Sequence, residues 1–73
     1  MTLHDAVYQV LKARGRPMHV QEITHEIAFR ELYEKHDGTP AHPRQVDTRI
    51  ENYPELFVKM GQRVLLKAWQ RAA

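Results

Sequence analysis

Leu3, Val7, Val10 and Leu11 fall at i, i+4, i+7 and i+8 with Ala6 beside them, the spacing that lines one face of an α-helix. Thr2 precedes this run and Asp5 follows three residues later. The pattern offers a hydroxyl to an orphan amide and an acid to the positive end of the helix dipole. Lys12 and Arg14 stand where the last turn would be, and Gly15 supplies a left-handed stop, so the spacing predicts a first helix over residues 3–14. Arg16-Pro17-Met18-His19-Val20 is too short for a helix and holds a proline. It reads as an extended link with room for one or two strand pairs. Ile23 and Ile27, with Ala28 beside them and Leu32 and Tyr33 closing the set, predict a second helix over residues 20–32.

The stretch from Glu34 to Pro43 contains Asp37-Gly38 and two prolines, which predicts a loop with turns. Pro43 is also suited to the first position of a helix. Val46, Ile50 and Tyr53 follow at helical spacing, predicting a third helix over residues 43–52, with Pro54 just beyond it. Leu56–Met60 and Arg63–Lys67 are β-prone runs around Gly61-Gln62, the pattern of a hairpin. Residues 68–73, including Trp69, form a tail that either docks or frays. The expected class is α+β: a small winged helix-turn-helix with three helices and a C-terminal two-stranded β-hairpin wing. The expected organisation is one domain over residues 1–73.

Composition narrows this picture. With 73 residues, 42% of them hydrophobic, the chain has material for one core, and zero cysteines excludes disulfides and thiolate zinc sites. That absence fits a reducing, intracellular setting. No apolar run approaches the ~20 residues that span a bilayer, and no secretory signal stands at the amino terminus, so a cytoplasmic protein without membrane attachment is expected. The formal charge of +2 is unevenly spread. Residues 1–55 hold all nine acids, whereas residues 56–73 hold Lys59, Arg63, Lys67 and Arg71 and no acid.

The polar positions of the third helix carry the donors that read bases. Arg44 and Arg49 can bond guanine in bidentate fashion, Gln45 and Asn52 can do the same to adenine, and Thr48 can reach a phosphate or a thymine methyl. Asp47 and Glu51 bring the helix to zero net charge, so a plain solvated face is the competing reading. Lys59 and Arg63 flank the hairpin turn, where with Lys67 and Arg71 they can track a phosphate backbone or blunt an exposed edge strand. Lys12, Arg14 and Arg16 form a second basic group.

Other chemistry finds little support. His4, His19, His25, His36 and His42 lack metal-ligand spacing and read as scattered surface residues, with His19 and His42 at capping positions. There is no serine and no glycine-rich phosphate loop, and Glu22 and Glu26, one turn apart, read as solvated charge. Neither catalysis nor a cofactor or metal is expected. Among the aromatics, Tyr53 and Phe57 read as core rather than as base-stacking groups, and Trp69 as a tail residue that covers the hairpin or meets a partner.

The apolar-patterned first helix is followed by Gly15-Arg16-Pro17-Met18-His19, Glu22-Ile23, Leu32-Tyr33, Asp37-Gly38-Thr39-Pro40, Gln45-Val46, Arg49-Ile50, Asn52-Tyr53-Pro54, Leu56-Phe57 and a glycine-centred hairpin ending at Leu66. In order and spacing this resembles the HARE-type helix-turn-helix family of small winged-helix domains, over about residues 2–67. The resemblance implies a module that binds double-stranded DNA, in transcription regulation or in restriction and modification systems, with helix three in the major groove and the wing on the phosphate backbone. It also implies a rival, because the family includes a domain at the start of the RNA polymerase delta subunit: docking on RNA polymerase or another protein without DNA contact. A lone winged helix reads few base pairs, so a homodimer or a fused second module is expected to supply specificity. One departure stands out. Many relatives place a glycine just before the Leu-Tyr pair, where this chain has Glu31. Either helix two continues to Tyr33 or Glu31 accepts a strained or unusual cap.

Overall fold

The first helix, α1, spans Leu3–Arg14 as the periodicity predicts. The Thr2 hydroxyl accepts from the Asp5 amide at its start, and Gly15 closes it at φ 69° with its N–H bonded to the Leu11 carbonyl. The structure is a computed structural model that describes every residue except Glu34, His36, Asp37, Ala72 and Ala73, and not the Arg71 side chain.

The extended link contains a short strand, β1 (Met18–His19), which leads directly into α2 (Val20–Phe29). His19 caps α2: its Nδ1 accepts from the Gln21 amide at 3.1 Å, while Glu22 Oε1 accepts from the His19 N–H. Histidine does here what serine or aspartate usually does. The helix ends at Phe29, three residues short of the expected boundary. Glu31 N–H bonds to the Ala28 carbonyl and Leu32 N–H to the Ile27 carbonyl, the paired bonds of a Schellman turn. Glu31 sits at its left-handed position with φ 54°, so the second of the two alternatives for this residue holds. Continuing the helix would carry Leu32 away from the core; the turn brings it back to pack there.

An L-residue in this conformation costs roughly 1–2 kcal/mol that glycine avoids, partly offset by glycine's larger unfolded-state entropy. Glu31→Gly is therefore expected to stabilise the fold by about 0.5–1 kcal/mol, raising the melting midpoint by a few degrees. Thermal melts followed by circular dichroism check this. An unchanged or lowered midpoint would show that the turn carries no strain.

In the connection between α2 and the third helix, Gly38 adopts φ 84° and its N–H bonds to the Lys35 carbonyl. The expected Asp37-Gly38 turn lies partly outside the described residues. Helix α3 runs Pro43–Glu51 with Asn52 as its cap, and proline occupies its first turn as expected. The strands β2 (Phe57–Met60) and β3 (Arg63–Leu66) pair antiparallel around Gly61-Gln62, and Gly61 turns at φ 67°. β1 adds to β3 on its other side, Met18 opposite Val64, so the sheet has three strands in the order β1-β3-β2 rather than the two of the hairpin alone.

Alternation along the strands turns Phe57, Val64 and Leu66 inward, where with Met18 they meet the helices. The buried apolar side chains of α1, α2, α3 and this sheet face form one cluster, reinforced by Ala41 from the α2–α3 connection. Tyr53 and Trp69 pack against that cluster and Phe57 lies within it, the placement expected of core aromatics. The tail docks: Lys67–Arg71 form a 3-10 helix. Together, three helices and a small antiparallel sheet make the winged helix-turn-helix architecture.

Candidate nucleic-acid interface

Helix α3 carries three separate stripes. Val46 and Ile50 are buried in the core. Arg44, Gln45, Thr48, Arg49 and Asn52, at i, i+1, i+4, i+5 and i+8, share a second face and line a shallow depression of about 370 Å³ together with Leu3 and Tyr33. Asp47 and Glu51 occupy the remaining side. There Lys59 Nζ of β2 meets Asp47 Oδ1 at 2.6 Å and Glu51 Oε2 at 3.5 Å. The hydrogen bond from the ammonium to Asp47 holds the Lys59 pKa above the ordinary lysine value, against the opposing effect of desolvation.

The zero net charge of α3 thus conceals a segregation. Its two acids face the single ammonium of Lys59 on the wing, while both arginines lie on the opposite side among neutral donors. Lys59, expected to meet phosphate directly, is instead occupied, its side chain only 25% exposed.

The individual donors differ in freedom. Arg44 forms no ion pair with another described residue and is exposed. Gln45 is partly committed, because its Oε1 accepts from the His42 N–H at 2.9 Å in the cap of α3, where His42 Nδ1 accepts from the Arg44 amide at 3.1 Å. Bidentate contact with adenine would have to share that oxygen. Thr48 and Asn52 are exposed. Arg49 is half-buried, its Nη1 donating to His4 Nδ1 at 3.4 Å, and the His4 ring stacks on Tyr53 with centroids 3.9 Å apart and planes at 20°.

Arg63 stands exposed beside the hairpin turn, across from Met60. Lys67 lies at the other end of β3, about 13 Å along the strand from Arg63, where it borders a hollow with Tyr8 and Glu55. The fold does not bring Lys67 together with the α3 donors in that depression. The second basic group is likewise largely spent on carboxylates. Arg14 and Arg30 both contact Glu26 Oε1 at 2.9 Å, and Arg16 contacts Glu22 Oε2 at 2.7 Å. Hydrogen bonds from Arg14 and from Arg16 hold the Glu26 and Glu22 carboxyls, respectively, below the usual carboxylate range. These two glutamates serve as ion-pair partners.

Sequence reasoning missed Leu3, Tyr33 and His4 at this surface. Leu3 and Tyr33 carry helix-face and turn signals that point to the core, and His4 gives no sequence signal because its partner Arg49 lies 45 residues away. Among the described residues no group of three or more His, Asp or Glu side chains is arranged to hold a metal ion, and no helix is long and apolar enough to cross a membrane.

No curated protein and no solved structure matches the chain. A family model does, over residues 1–69: HARE-HTH, a helix-turn-helix domain whose description names ASXL and restriction endonucleases. With nearly its whole length matched and the fold as above, the chain belongs to the HARE-HTH family of helix-turn-helix DNA-binding domains.

Proposed function

We propose that this domain binds double-stranded DNA by laying α3 in the major groove, with Arg44, Thr48, Arg49, Asn52 and the free amide of Gln45 facing bases and phosphates. Arg63 at the hairpin turn lies on the sugar–phosphate backbone. The observation that carries this reading is the segregation of α3: Lys59 pairs with Asp47 and reaches Glu51 on the far side of the helix, and no acid lines the depression where the donors meet the polyanion. Lys59 acts through those ion pairs rather than by contact, and Lys67 stands apart from the interface. The family's description couples the domain to restriction endonucleases, and DNA targeting in transcription regulation or restriction and modification is the role we assign.

A titration of labelled random duplex by fluorescence anisotropy, repeated as salt is raised, tests this. Affinity is expected to fall steeply with salt. Within the same experiment, Arg63→Ala should lower the slope of log affinity against log salt by about one, the signature of a lost phosphate contact. Lys59→Ala should instead weaken binding with little loss of slope, because it frees two carboxylates beside the groove rather than removing a phosphate contact. A slope change on Lys59→Ala equal to that on Arg63→Ala would return Lys59 to the backbone-contacting set.

One observation favours the rival reading of a protein-docking module. Phe29, at the end of α2, is 78% exposed. Absence of duplex binding at low salt with all arginines intact would decide for a protein partner, RNA polymerase included.

A further inference from the structure

Outside the donor face itself, His4 is the side chain best placed to act on it. It projects from the first turn of α1 and makes three contacts: Nε2 lies 3.3 Å from Thr2 Oγ1, Nδ1 lies 3.4 Å from Arg49 Nη1, and the ring stacks on Tyr53. A guanidinium can only donate, so the nitrogen facing Arg49 must be bare. In the neutral ring the proton then sits on Nε2, directed at Thr2 Oγ1. That hydroxyl oxygen also accepts from the Asp5 amide, and with two lone pairs it serves both donors. The Arg49 contact therefore requires the tautomer with Nδ1 bare, and the cap hydroxyl of α1 accommodates it by accepting from Nε2. Stacking on Tyr53, the residue two beyond the end of α3, fixes the ring's plane.

We propose that His4 is a positioning residue for Arg49: it holds the guanidinium at the donor face of α3 in the orientation that reads DNA, through its bare Nδ1. This rests on the DNA-binding reading above. Arginine loses much rotamer freedom when it docks, and a side chain already tethered loses less on binding. His4 thereby raises affinity without touching the duplex.

The test is a double-mutant cycle on duplex affinity at low salt, with a rescue. His4→Phe keeps a ring to stack on Tyr53 and removes both nitrogens; it is expected to weaken binding about fivefold, the scale of one modest charge-assisted hydrogen bond. In an Arg49→Ala background the same change should cost nothing further, the coupling expected of residues that act as a unit. His4→Asn restores an acceptor near the Nδ1 position and should recover affinity to within about twofold of the original. An unchanged affinity on His4→Phe, multiplying losses in the double variant, or failure of His4→Asn to recover would each overturn the proposal. A purely structural His4 would give the multiplying pattern.

If the unaltered protein binds no duplex even at low salt, the DNA-binding reading fails first, and the positioning contact is decided in the free protein. Two-bond nitrogen–proton NMR correlations of the His4 ring should then place the proton on Nε2. A proton on Nδ1 overturns the contact regardless of ligand.

Discussion

Replacing Arg44 and Arg49 together by alanine is expected to reduce duplex affinity at least about 30-fold at low salt, since each arginine placed against guanine or phosphate contributes on the order of 1–3 kcal/mol. The fold should tolerate the change. Arg44 is exposed, and Arg49 contributes one long hydrogen bond to His4 but no core contact of the kind made by Val46 and Ile50. Anisotropy titrations of the single and double variants, with circular dichroism to confirm retained helix content, measure the effect. A double variant that binds as tightly as the parent would remove α3 from the interface and leave the wing alone to account for binding.

The largest effect on stability is expected inside the core. Leu11 is fully buried on α1, the helix that packs against both other helices and β3. Truncation to alanine removes three fully buried carbons, at a cost of about 3 kcal/mol. For a domain of this size the total stability is roughly 4–11 kcal/mol, so that loss is a large share. The melting midpoint should fall by more than about 10 °C. A fall of only one or two degrees would mean that α1 does not hold the three helices together at this point.

The sequence made some of these features legible and concealed others for physical reasons. Helices α1 and α3 and the β2–β3 hairpin follow from local signals: Thr2 and Gly15 bound the first, Pro43 opens the second, and Gly61 turns the third. The donor stripe was likewise legible, because i, i+1, i+4, i+5 and i+8 share a helix face in any context. The end of α2 was not. Whether a glutamate adopts the left-handed conformation depends on what Leu32 gains by returning to the core, and that is a tertiary quantity. The engagement of Asp47 and Glu51 by Lys59 was hidden for a similar reason. Lys59 is 12 and 8 residues away from them in sequence and reaches them only once β2 has folded back beside α3.

The docked tail gives the protein a reporter of its own. Trp69 is the only tryptophan, and it packs against the same cluster that anchors α1, α2, α3 and the sheet. Its fluorescence therefore records the integrity of that core as a whole, while the donor face of α3, built from other side chains, stays optically silent. Changes at the DNA-reading surface can be made without disturbing the signal that certifies the fold.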